Sequence, residues 1–224
     1  LTLNEIKKNL TREIRVEFRS RAAMSLAFSF SVITVLGTAL AARGVTPEPL
    51  TMSLLLWIIL FFSAMNGLSH VFTRESERGT LLLLRSVSSA GGVFAAKLIF
   101  NIVLFLVIEA VSAPLFLFFF QTVPADPGAF AGILAAGGFS VAAGSSILAA
   151  IASMAGARGA LFAVISFPVL LPVLWTAVIA TERALSGAEI PQASSYIFLL
   201  AFSGSVILIS FPLFKNLWFE EQVK

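Results

Sequence analysis

The sequence predicts an all-α, polytopic membrane protein of six transmembrane helices, and three observations predict it. Hydrophobic residues fill 58% of the 224 positions and charged residues only 12%, too few polar groups to cover a soluble domain of this size. Apolar runs long enough to cross a bilayer, at roughly 20 residues each, recur with short connections between them. Lysine and arginine gather at the segment ends that share one side: of the 15, only Arg43 and Arg183 fall on the other.

The chain opens with a basic stretch. Leu3, Ile6, Leu10, Ile14 and Phe18 recur at three and four residues, with Lys7, Lys8, Arg12, Arg15 and Arg19 around the remaining surface. That period predicts an amphipathic helix over 3–20 lying in the interface, its apolar stripe among acyl chains and its basic side at anionic headgroups. The first span follows at 24–42. Its end, Ala39-Leu40-Ala41, has the small-residue pattern of a signal-peptide cleavage site. The apolar stretch is longer than a signal core, however, and the basic region before it is more ordered than a signal needs, so it reads as a span.

The second span is expected at 50–70 and the third at 94–120, the latter carrying Glu109 near its middle. A charge exposed to lipid there costs several kcal/mol, so Glu109 must face protein or water, either as a conduit or proton-linked group or as a carboxyl at a helix contact. Pro114, five residues on, frees a backbone carbonyl and bends the same helix. The fourth span, 128–154, holds Gly128, Gly132, Gly137, Gly138 and Gly144, small residues that let neighbouring helices approach; packing within the chain is favoured over a dimer contact or conduit wall. The fifth and sixth follow at 160–181 and 196–214. An even number of spans keeps both basic termini on one side, the cytoplasmic one by the charge rule, and the whole is one permease domain, 1–224.

Chemistry-bearing residues are sparse. His70 is the single histidine and cysteine is absent, so a two-histidine metal site, a thiolate site and a thiol nucleophile are all excluded within one chain. His70 reads as a polar residue at a span end. No GxxxxGK[ST] pattern occurs, so nucleotide hydrolysis has to come from another protein, and with so thin an acid, base and metal inventory the chain reads as no enzyme. The most informative polar segment is the connection 72–92, where Thr73-Arg74-Glu75-Ser76-Glu77-Arg78-Gly79-Thr80-Leu81 precedes Leu82–Leu84 and Arg85. Mixed charge, then glycine, then an apolar run suggests a short helix across the cytoplasmic face, able to dock in a soluble partner.

On these residues the chain resembles the ABC type-2 permeases, whose second and third spans are joined by a glutamate-x-glycine-[Thr/Ser]-leucine loop followed by a lysine at the start of the third span. Glu77-Arg78-Gly79-Thr80-Leu81 and Ala96-Lys97 match that pattern. Within the group it is most similar to the CcmB family, the haem exporter B subunits of cytochrome c maturation. Phe72-x-Arg74-Glu75-x3-Gly79-Thr80-Leu81, Lys97, Pro114, Arg158-Gly159-Ala160 and the paired prolines of Ser166-Phe167-Pro168-Val169-Leu170-Leu171-Pro172 carry that likeness. Where the family usually has a proline-containing stretch, this chain has Ser86-Val87-Ser88-Ser89-Ala90-Gly91-Gly92.

The resemblance implies a permease subunit in the bacterial cytoplasmic (inner) membrane, acting in haem export or delivery. It implies coupling through Arg74, Glu75, Glu77, Arg78, Gly79, Thr80 and Leu81 to a CcmA-like ATPase that holds the ATP. CcmC-like and CcmD-like membrane subunits are the further partners implied, with a homodimer as another association and nucleic acid as none. Lys97 and Arg158 become candidates at the cytoplasmic face, and Glu109, Pro114, Pro168 and Pro172 within the membrane. No cofactor is assigned to this chain. Haem enters as substrate through the resemblance alone, since there is no histidine pair and Trp57, Trp175 and Trp218 are scattered. Two other functions fit the residues: a type-2 permease exporting a lipid, drug or glycan, and a gradient-driven carrier using Glu109.

Overall fold

The computed structural model describes residues 2–77, 84, 86–154, 159–187 and 193–220. Among these, seven long helices and no strand are found: α1 Leu3–Ser20, α2 Ala22–Ala41, α3 Pro49–Glu77, α4 Ala90–Phe119, α5 Pro127–Met154, α6 Gly159–Ser186 and α7 Ala193–Glu220. The last six are each long and apolar enough to cross a membrane. They alternate up and down. The starts of α2, α4 and α6 and the ends of α3, α5 and α7 therefore share one end of the bundle with α1, called here the terminal end.

The central helix is α5, with 83% of its apolar window buried against 22% for α2 and for α7. It touches α3, α4, α6 and α7, while α2 lies outside against α3 and α4. Its glycines explain why. A Cβ at Gly137 would run into the Trp57 ring of α3, one at Gly138 into the Glu109 carboxyl of α4, one at Gly144 into Leu170 of α6 and one at Gly132 into Tyr196 of α7. Each neighbour lodges a large side chain where α5 has none, which is the close helix approach that lipid favours. The glycine-rich span thus packs within its own chain.

Single polar contacts tie the pairs together. Trp57 Nε1 donates to Thr181 Oγ1 at 2.9 Å between α3 and α6, and Asn101 Nδ2 to Ser146 Oγ at 2.9 Å between α4 and α5. Ser140 Oγ donates to the Leu199 carbonyl at 2.8 Å between α5 and α7, and the Ser31 and Ser112 hydroxyls bond across α2 and α4. In a membrane each such bond is worth about 0.6–2 kcal/mol, so together they set register more than they supply stability.

At the terminal end, Phe72 of α3, Phe94 of α4 and Phe211, Phe214 and Trp218 of α7 form one ring cluster, with Phe94 and Phe214 centroids 5.0 Å apart. At the opposite end, the Asp126 amide donates to the Ala184 carbonyl at 3.0 Å, and the Asp126 carboxylate caps α5 through the Ala129 amide at 2.9 Å. The end of the third-to-fourth span connection that leads into α5 is thereby fixed to α6.

The α5 glycines give a paired test. Gly137→Leu overpacks the Trp57 contact and is expected to cost about 1–3 kcal/mol or more, while Gly37→Leu on the outer face of α2, with nothing within 4 Å, leaves stability unchanged. Thermal unfolding of the purified variants in detergent measures both.

Candidate functional site

The chemistry of the described residues concentrates at the terminal end, where α1 lies across the start of α4. α1 buries an unexpected face. Glu5, Asn9, Glu13 and Glu17 stand four residues apart, which places them on one side of a helix, and that side turns toward the bundle. Asn9, Glu13 and Glu17 are buried, whereas Leu3 is 85% and Phe18 66% exposed.

Each of the four meets a different partner. The Glu17 carboxylate accepts from the Met24 amide at 2.9 Å, in the first turn of α2. This contact takes over a cap that Arg21 does not supply: Arg21 is the only residue between α1 and α2, sits at φ 54°, and makes no side-chain bond to the helix it starts. Glu5 does the same for α4. Its carboxylate accepts from the Ser89 amide at 2.6 Å, while Ser89 Oγ accepts from the Gly92 amide at 3.2 Å. The arrangement is a capping box whose acid comes from another helix. Hydrogen bonds from the Ser89 hydroxyl and then its amide hold the Glu5 carboxyl below the ordinary carboxylate range. Gly92 leaves room for it, since a Cβ there would sit 2.9 Å from the Glu5 carboxyl carbon. Between these caps, the Ser88 hydroxyl donates to Asn9 Oδ1 at 3.1 Å.

Glu13 faces Lys97. The ammonium lies 3.5 Å from the carboxylate, donates to the Val71 carbonyl of α3, and stands 5.1 Å over the Phe72 ring. Both ends of the pair are sealed, Lys97 at 3% and Glu13 at 1% exposure, and Arg12 adds a second cation beside Glu13. A buried ammonium survives only with its charge matched and its donors satisfied; a carboxylate, a carbonyl and a ring face together meet that need.

Of the sequence-predicted residues, the structure brings Lys97 into this cluster two turns inside α4. α3 continues as helix past the expected span end to Glu77, so Arg74, Glu75 and Glu77 stand on its last turns, and their side chains, like that of His70, lie outside the described set. Arg78, Gly79, Thr80, Leu81 and Arg158 lie outside the described residues altogether. Glu109 is elsewhere: twelve residues from Lys97, roughly 18 Å along the helix, it is 4% exposed, packs on the Gly138 backbone, and its Oε1 has no hydrogen-bond partner among the described residues. Pro114, Pro168 and Pro172 all lie on exposed faces of unbroken helices, Pro168 and Pro172 beside the exposed Trp175. Among the described residues no three His, Asp or Glu side chains come together to hold a metal ion.

Sequence reasoning missed Glu5, Asn9, Glu13 and Glu17. The signal was present as E-x3-N-x3-E-x3-E, a largely acidic stripe on a helix whose other charged residues are all basic. A freely solvated or purely interfacial helix has no use for such a stripe, so it marks a docked face.

Lys97→Met removes the ammonium from a buried carboxylate that keeps Arg12 beside it, and is expected to cost up to roughly 3–5 kcal/mol, lowering the thermal midpoint by up to roughly 6–20 °C. Adding Glu13→Leu to it should recover most of that loss, because an apolar pair then replaces the buried charges. Thermal scans of the single and double variants decide.

A family model described as CcmB protein matches residues 5–217 of the chain. No curated protein matches it.

Proposed function

The chain belongs to the CcmB family, and from that premise we propose that it is the membrane permease subunit of an ABC complex in which a separate cytoplasmic ATPase drives haem export or delivery for c-type cytochrome assembly. The observation that carries the reading is the reach of the family match, 5–217, which takes in α1, all six spans and the connection between α3 and α4. The family is one of multi-pass membrane proteins of cytochrome c maturation, not of enzymes.

The geometry supports a particular way of working. The connection from residue 78 leaves a helix that continues beyond the expected span, and it ends at Ser88 and Ser89, which α1 holds through Asn9 and Glu5. A segment anchored at both ends hands displacement to the helices that flank it. On this reading ATP binding and hydrolysis on the partner shift that segment, α3 and α4 tilt, and the bundle exchanges between two arrangements that differ in their contacts with the partner. Arg74, Glu75, Glu77, Arg78, Gly79, Thr80 and Leu81 are the residues that meet the ATPase. The terminal end is the cytoplasmic one, because all lysines and arginines but Arg43 and Arg183 belong to it. The membrane is the bacterial inner membrane, and CcmA-like, CcmC-like and CcmD-like subunits complete the assembly.

A rim ion pair is worth only about 0–1 kcal/mol, so Glu77→Lys alone should weaken the complex slightly. Combined with Gly79→Val, which adds a β-branched side chain at the glycine of the motif, it should lower ATPase co-purification or cytochrome c maturation about tenfold while membrane yield stays normal. Yield, co-purified ATPase and mature cytochrome c all at wild-type levels would overturn the reading.

A further inference from the structure

One helix of α1's length ties together three others by their ends. Within thirteen residues it caps α2 through Glu17, caps α4 through Glu5, bonds Ser88 through Asn9, and meets through Glu13 an ammonium that also holds the Val71 carbonyl of α3. The joint to α2 is a single residue, Arg21, in a left-handed conformation, and the Glu17 carbonyl accepts its amide while the Glu17 side chain holds the next helix. Such a joint has little freedom: turning α1 against α2 breaks both bonds at once. Turning α1 against α4 separates the buried Lys97 ammonium from the Glu13 carboxylate and unmakes the cap on Ser89.

We infer that α1 is a strut that moves as one body with the starts of α2 and α4, carrying displacement of the α3–α4 connection to the first span, with the Glu13–Lys97 pair as its central fastening. Glu13 is a positioning residue, since it acts through Lys97 and α4. The source of the displacement rests on the reading given above; the fastening does not.

The chain has no cysteine, so paired spin labels go in cleanly at Thr11→Cys on α1 and Ile99→Cys on the exposed side of α4. The strut predicts one narrow distance distribution in the otherwise native chain, unchanged by nucleotide in the complex, and a broadened one in Glu13→Gln. A wild-type distance that shifts with nucleotide overturns it, as does a distribution that stays narrow in Glu13→Gln. In cells, Glu13→Gln should keep ATPase co-purification and hydrolysis while cytochrome c output falls at least about fivefold, with Glu13→Asp restoring part of it. Should Glu13→Gln fail to accumulate, an Asn9→Cys/Ser88→Cys disulfide decides: a strut tolerates the bond, keeping output within about twofold of the reduced form, whereas loss reversed by reductant overturns it. Absence of any ATPase from the wild-type preparation would defeat the proposed function instead, and the label distances in the isolated chain would still decide the fastening.

Discussion

The ammonium of Lys97 sits in a setting where almost nothing stabilises a charge, and the terminal end of the bundle is organised around satisfying it. Lys97 is buried two turns inside an apolar helix, so water is not its solvent. In place of water it meets, among other groups, the Glu13 carboxylate, the Val71 carbonyl and the face of Phe72, contributed by α1 and α3. The requirement runs in both directions: Glu13 needs a cation as much as Lys97 needs an anion, which fixes how α1 rolls about its axis. Once Glu13 faces inward, a period of four brings Glu5, Asn9 and Glu17 inward too, and each then lands on an unfilled donor at a helix start or beside one.

This arrangement separates the charges of α1. The Glu5 and Glu17 carboxylates point at helix N-termini, where the macrodipole and free amides favour them, and Glu13 points at Lys97, leaving Lys7, Lys8, Arg15 and Arg19 on the exposed surface beside Leu3, Ile14 and Phe18. An interfacial helix rich in charges of both signs thereby becomes a docked element with a basic and apolar outer face. The same logic accounts for Ser89 and Gly92. A proline at 89 would lack the amide that Ser89 gives to Glu5, and a side chain at Gly92 would occupy the space of that carboxylate.

Fold class was legible in the sequence because hydropathy and charge bias report directly on the solvent each segment meets; six apolar runs read as six spans. The α5 glycines were legible as packing residues because small side chains in lipid have few other uses, although their partners, Trp57, Glu109, Leu170 and Tyr196, depend on tertiary register that no local pattern encodes. The inner face of α1 was missed for a physical reason. An apolar moment dominates the reading of an amphipathic helix, and the acidic stripe competes with it only once the donors at Met24, Ser89 and Lys97 are placed in space. Lys97 was singled out by its motif, yet its surroundings came only from the fold, since Val71, Phe72 and Glu13 lie 25 or more residues away. Glu109 was rightly expected to avoid lipid, and it does so by packing on Gly138.

The central claim is that the end of the bundle where α1 docks is the end an ATPase engages. A photoreactive amino acid placed in turn at Val87, at the terminal end, and at Val45 and Val123, at the opposite end, tests it in intact membranes, because all three positions are exposed. Crosslinks to the ATPase from position 87, and none from 45 or 123, are the predicted result. A crosslink from 45 or 123, or none from any of the three, contradicts the account.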